Sequence, residues 1–298
     1  MNIICGSCAA IAATASAFFA LQQTKGPYLF LAAGALLLTG IIYAAVRFVR
    51  KSSLDGLSDR IHYKTSLFDY GLTPVAVNAK GKARELGGRF KAFLIGNHSR
   101  EIRSLLKGSY EGKEHQFNYE HYHFHYVNQR EETYTTTDSK GNVRVRTRTV
   151  YDHFDRYGFI VPFGFTQALR ISEWQLAFFS PKWKSSSVSF NKNFNVEAAS
   201  EMDAAKFLTP KILVEIEAAG QALTGMDLEF NQAGDLCFSF DNRNTIAANR
   251  KGGLENPAVF AEQIAGHSTQ ANLESALHFI HTLMKYSDNN FETTSKGE

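Results

Sequence analysis

The chain is poor in cysteine, nearly uncharged at its start and without familiar catalytic signatures, and each shortage excludes something. Three cysteines in 298 residues, Cys5, Cys8 and Cys237, cannot build a disulfide framework, which suits a reducing compartment. Cys5 and Cys8 have C-x-x-C spacing but lie in an apolar stretch, without the polar surroundings of a zinc or thioredoxin site. No G-x-S-x-G elbow, H-E-x-x-H helix, Walker loop or G-x-G-x-x-G turn occurs, so nothing points directly to a hydrolase or a nucleotide-dependent enzyme. A formal net charge of +3, with no sustained basic surface, argues against a nucleic-acid partner.

Between Ile3 and Val46 the only charged residue is Lys25. Two apolar runs, Ile3 to Leu21 and Tyr28 to Phe48, flank the segment QQTKGP. Each approaches the roughly 20 residues that a helix needs to cross a bilayer. The expectation is therefore an N-terminal transmembrane helical hairpin over residues 1–50, turning at Gly26-Pro27, with the lipid bilayer as a partner. Small residues at Gly6, Ala10, Ala13, Ala17 and Ala20 suit close helix packing, within the hairpin or in a homo-oligomer. Arg47, Arg50, Lys51 and Arg60 outnumber Lys25, so the positive-inside rule puts both termini and the main domain in the cytoplasm. A cleaved signal peptide is the competing reading, disfavoured because no basic segment precedes the first run and a second run follows it.

Residues 51–106 read as a juxtamembrane basic and amphipathic linker, with Leu54, Leu57 and Ile61 on one side of a helix. Its basic string holds Lys80, Lys82, Arg84, Arg89 and Lys91 against Glu85, five charges minus one, or +4. Such a patch binds lipid head groups or a partner, or is simply an exposed basic segment; Lys80, Lys82 and Arg84 are the candidates.

Residues 107–286 carry the pattern of an α+β domain with an antiparallel β-sheet and C-terminal helices, followed by a polar, flexible tail over 287–298. In YEHYHFHYV, Tyr119 to Val127, histidines alternate with aromatic residues. A strand with that pattern should bury Tyr122, Phe124 and Tyr126 and leave His121, His123 and His125 facing solvent or a groove. With His153 and Asp155 from the next strand these imidazoles form a candidate site for a divalent transition metal, provided that pairing sets His125 opposite His153 and His123 opposite Asp155. Otherwise the row is a strand's wet face, needing no cofactor. On the second strand Arg144, Arg146 and Arg148 alternate with Val143, Val145, Thr147 and Thr149. They are either charge-paired with Glu131 or Glu132 or form a basic stripe for an acidic partner. Further on, a helical pattern is read over NFNVEAASEMDAAKFLTPKILVEIEAAGQAL, a hairpin over MDLEFNQAGDLCFSF, and a long helix from Asn256 to Tyr286.

Taken in order, LKGSYEG at Leu106 to Gly112, YGFIVPF at Tyr157 to Phe163, FNKNFNV at Phe190 to Val196, FLTPKILVEI at Phe207 to Ile216, and DLCFSF resemble a bacterial membrane-anchored family listed as domain of unknown function 3137. The resemblance spans about Leu106 to Phe240 and implies a membrane-tethered cytoplasmic α+β domain at the inner membrane. It implies no activity and no catalytic residues. The expected function is that of a non-enzymatic binding or scaffold protein with a protein partner at the membrane, with a metal-binding enzyme or sensor built on the histidine strand as the alternative.

Overall fold

The structure, a computed structural model, describes residues 28–137, 141, 143–174, 182–242, 245–246, 252–267 and 269–288. They divide between two compact units, Met1–His62 with Arg250–Gly266, and Tyr63–Asn249 with His267–Glu298. A 42-residue helix, α1, runs over Tyr28–Asp69, so the amphipathic stretch after residue 50 continues the helix before it.

The expected transmembrane hairpin is overturned at this point. Among the described residues no helix is long and apolar enough to cross a membrane. The first apolar run, its loop with Lys25, and Cys5 and Cys8 lie outside the described residues. In the first unit Ser58, buried on α1, accepts a hydrogen bond from the Leu254 N–H, and His62 packs edge-on against Phe260 of a short helix, Pro257–Ala265.

The second unit is organised by one antiparallel sheet. Its strands are β1 (Thr73–Pro74), β2 (Ser99–Glu111), β3 (Gln116–Thr137), β4 (Val143–Pro162), β5 (Leu169–Ser172), β6 (Lys182–Trp183), β7 (Asn195–Ala198), β8 (Asp227–Phe230) and β9 (Asp235–Phe240), in the order β1-β2-β3-β4-β9-β8-β5-β7-β6. The α+β class and the antiparallel sheet are thus as read from sequence. Strand β2 starts at Ser99 and α2 (Ala79–Arg89) packs within this unit, both ahead of residue 107, where the domain was expected to begin.

Both faces of the central sheet are covered. On one face Phe159, Val161, Phe238 and Phe240 join Ile212 and Ile216 of α5 (Pro210–Ala222) and Leu277 and Ile280 of α7 (Ala271–Asp288). On the other, Tyr122, Phe124, Tyr126 and Ile160 lie under Leu86 of α2 and under Phe90 and Phe93 around a 3-10 turn, Lys91–Phe93. The helices α3 (Val188–Asn193) and α4 (Glu201–Phe207) are short. Between them NVEA forms β7 instead of extending a helix, because Val196 and Ala198 face the core at the strand period of two. Pro210 opens α5 at its first turn, where a missing N–H costs nothing. Gly234, at φ 82°, turns the β8–β9 hairpin. The single long C-terminal helix expected from sequence is two helices, α6 (Pro257–Ala265), which ends before Gly266, and α7. The stretch QLAFFS, the turn residues 138–140 and the tail from 289 lie outside the described residues.

Candidate functional site

The histidine row is settled by register. Strand β4 sets Asp155 opposite His125, Tyr157 opposite His123 and His153 opposite Val127, two residues from the pairing expected. The cluster still assembles, because residues two apart on neighbouring strands are diagonal neighbours within reach of a ring. His123 Nε2 lies 2.8 Å and His125 Nδ1 2.9 Å from the same oxygen, Asp155 Oδ1. His125 Nε2 then meets His153 Nδ1 at 3.2 Å, and the two rings stack with centroids 5.4 Å apart. If Asp155 takes a proton bond from each ring, a neutral His125 must accept at Nε2, so the string runs from His153 through His125 to Asp155.

Arg103 adds a cation 3.3 Å from Asp155. It occupies a bulge in β2 between Ile102 and Ser104, which re-aims its side chain and brings Ser104 opposite His123. Burial would raise the Asp155 carboxyl, but the hydrogen bonds from His123 and His125 outweigh it and hold the group below its ordinary value.

The face is not wet. His121 and His125 are each 4% exposed, as deeply buried as the aromatic residues between them. The histidines share the sheet face of Tyr119 and Phe159, part of the larger core, which covers His121 and His125 and leaves His123 partly exposed. His121 stands apart from the Asp155 string. Neither of its ring nitrogens has a hydrogen-bond partner among the described residues, and burial, with the neighbouring His123, pushes it down to about 3, so it is neutral at physiological pH. It lines a cavity of about 270 Å³ with His123, Tyr157, Ser104 and Thr245.

This arrangement limits the chemistry. Ser104 faces the same cavity as His123, yet among the described residues no hydrogen bond joins its hydroxyl to a histidine, so the nucleophile–base contact of a hydrolase is missing there. No group of three or more His, Cys, Asp or Glu side chains among the described residues is arranged to hold a metal ion. Asp155 Oδ1 is occupied by two rings, and His121 is not part of the string.

The basic residues divide. Lys80 and Arg84 of α2 line a groove of about 340 Å³ together with Arg100, His98 and Asn97. Arg100 is held rigidly there by the carbonyl oxygens of Leu94, Ile95 and Gly96, none of which neutralises its charge. Lys82 is spent on an ion pair with Glu85 at 2.7 Å and does not line the groove. Arg148 pairs with Glu132 at 2.6 Å and lies over the Tyr134 ring, while Arg144 and Arg146 are exposed without an ion pair among the described residues.

All three arginines sit on an arm. Strand β2 pairs with β3 only as far as Val127, and β9 pairs with β4 only from Tyr157, so Asn128–Thr137 and Val143–Asp152 form a two-stranded ribbon of about 34 Å. Sequence reasoning missed Arg100 and Arg103. SREIR showed a charged, alternating strand start, but only the bulge and the loop carbonyls give those two guanidinium groups their places.

No family model, curated protein or solved structure matches the chain.

Proposed function

We propose that the second unit is a binding module whose ligand is an acidic segment of a protein partner, seated in the α2 groove and extended along the arm. One observation carries this reading: the groove places Lys80, Arg84 and Arg100 around one concavity with no carboxylate among its described lining residues. Unneutralised cations lining a concave surface raise the local concentration of anionic groups and speed their capture. Arg100 is pre-organised, because loop carbonyl oxygens hold its Nε and Nη2; Nη1 can then donate to an arriving carboxylate with little side-chain freedom left to lose. Arg144 and Arg146 extend the same sign of charge beyond the groove, on the arm.

The test is fluorescence anisotropy with a glutamate-rich peptide, beside vesicles with and without an anionic lipid. The wild-type chain should bind the peptide, and affinity should fall steeply with added salt. The double variant Lys80→Ser, Arg84→Ser should lose at least about tenfold of it while unfolding at the same temperature. Equal affinity in the variant, or binding to anionic vesicles but not to the peptide, would refute the reading.

A further inference from the structure

The arm has two open edges, and the hydrogen bonds around it fix which backbone groups line each of them. In an antiparallel ladder alternate residues turn both their N–H and their C=O to the same neighbour. On β3 the Val127 carbonyl accepts from the His98 N–H, while Gln129 donates to Asn97 Oδ1 and accepts from Asn97 Nδ2, so its odd-numbered residues face the β2 side. On β4 the Phe163 N–H donates to the Gly234 carbonyl, so odd-numbered residues there face the β9 side. The register of β3 and β4 is unbroken from the pair Glu120 and Ile160 to the pair Thr137 and Val143, which carries both patterns into the arm. Glu131, Thr133, Thr135 and Thr137 therefore turn their amides outward on one edge, and Val143, Val145, Thr147, Thr149 and Tyr151 on the other. Among the described residues no hydrogen bond reaches these outward groups.

We infer that the β4 edge of the arm takes up an added antiparallel strand: an extended protein segment in which every second residue is acidic and those between are uncharged and β-branched or aromatic. This rests on the acidic partner proposed above and adds how the arm holds it. Open edges are commonly blunted by proline, lysine or a bulge, and from Val143 to Asp152 β4 has none of the three. A ribbon of two strands is marginal in water, so a third strand stabilises it as well as binding to it. Every neighbouring pair in this sheet is antiparallel, which is the pairing expected of the newcomer.

Charge selects both the edge and the segment. Arg144, Arg146 and Arg148 share one face of the arm, and Val143, Val145, Thr147 and Thr149 share the other. A strand laid along β4 sets one row of its side chains beside the arginines and the next row beside valine and threonine. Carboxylates gain most opposite Arg144 and Arg146, which have no ion pair among the described residues; Arg148 is already held by Glu132 at 2.6 Å. The same arginines turn away the β4 edge of a second copy, where like charges would stand opposite one another. The β3 edge suits an acidic strand less, because Glu131 and Glu132 flank it and Asn97 closes its base. Since the outward amides of β4 belong to its uncharged residues, the uncharged residues of the segment make the backbone bonds, and the amides of its acidic residues point away.

The experiment is fluorescence anisotropy with the full chain and a labelled peptide of about nine residues, enough to fill the edge, alternating valine or threonine with glutamate. It should bind at least about tenfold more tightly than a peptide of the same composition with its glutamates grouped at one end. N-methylation at the valines and threonines should raise Kd at least about tenfold, and at the glutamates less than about twofold. On the chain, Thr147→Pro removes an outward N–H and should match the larger loss, whereas Thr133→Pro on the other edge should leave Kd unmoved. Should Thr147→Pro fail to fold, the methylated peptides carry the test with the chain unaltered. Equal losses from the two methylation patterns, or equal binding of the grouped peptide, would overturn strand addition and leave the α2 groove standing. A methylation contrast that persists while Lys80→Ser, Arg84→Ser leaves affinity unmoved would support strand addition and remove the groove. A dimer of the chain that Thr147→Pro abolishes, seen by sedimentation without peptide, would give the edge to a second copy and overturn the proposal.

Discussion

The hairpin of β3 and β4 contains the same pattern twice, with opposite outcomes. In its lower half His121, His123 and His125 alternate with aromatic residues and all but the half-buried His123 are buried; in its upper half Arg144, Arg146 and Arg148 alternate with valine and threonine and both faces are exposed. A period of two says which side chains share a face, but only the neighbouring strands decide what covers it. Below Val127 the hairpin has β2 and β9 as neighbours and helices above and below; beyond it there is no third strand among the described residues. His123, His125 and His153 are thus tied into fixed contacts in one half, whereas the guanidinium groups of Arg144 and Arg146 in the other remain available.

The sharpest way to break the lower half is at Gly158, where an added Cβ would lie 2.0 Å from the Phe238 carbonyl oxygen and 2.6 Å from the Tyr122 hydroxyl. Gly158→Val should cost more than about 3 kcal/mol in urea unfolding, since backbone cannot yield as a side-chain tip can. Acid comes next. His121 titrates at about 3 when folded and near 6.5 when unfolded, so between those values the unfolded chain alone takes up the proton. Its contribution is complete above pH 6.5 and is lost at up to roughly 1.4 kcal/mol per pH unit as pH falls toward 3; His121→Phe should flatten that slope. A cost of about 1–2 kcal/mol is expected for Asp155→Asn at pH 7, because His123 and His125 lose a charged acceptor. Since the Asp155 carboxyl titrates below its ordinary value, its contribution persists above the unfolded value near 3.9 and vanishes as pH falls through the lower folded value. In the upper half, Arg144→Ser with Arg146→Ser should change stability by less than about 0.5 kcal/mol yet weaken binding of the glutamate-rich peptide, which separates availability from structure. Zinc should leave the melting temperature unmoved, because Asp155 is already shared between two rings; a rise of several degrees would instead reveal a rearranged histidine site.

Much of the sheet was legible because its strands are long, aromatic or β-branched, and punctuated by turns such as Gly234. The histidine cluster was legible only as a set of members. His123, His125, His153 and Asp155 do meet, but a register differing by two residues turned a proposed ligand shell into a hydrogen-bonded string. The wet face was misjudged because alternation of histidine with tyrosine and phenylalanine looks amphipathic, while imidazole is apolar enough to be buried when neutral. The transmembrane hairpin rested on two apolar runs and the Gly26-Pro27 turn between them, and among the described residues no helix is long and apolar enough to cross a membrane. Lys80, Lys82 and Arg84 looked equivalent in sequence; helical spacing aligns Lys80 with Arg84 and gives Lys82 to Glu85.

The two-stranded arm has a kinetic meaning as well. Only alternate amides of the arm point at its one partner strand, whereas successive amides of β3 below Val127 face β2 and β4 in turn. Local opening of the ribbon therefore needs far less free energy than opening of the body. Hydrogen exchange should rise along β3 from its buried half to Thr137, and a protease cutting near Gly141 should leave a nicked chain whose nine-stranded sheet survives, with Arg144, Arg146 and Arg148 still held on β4 against β3.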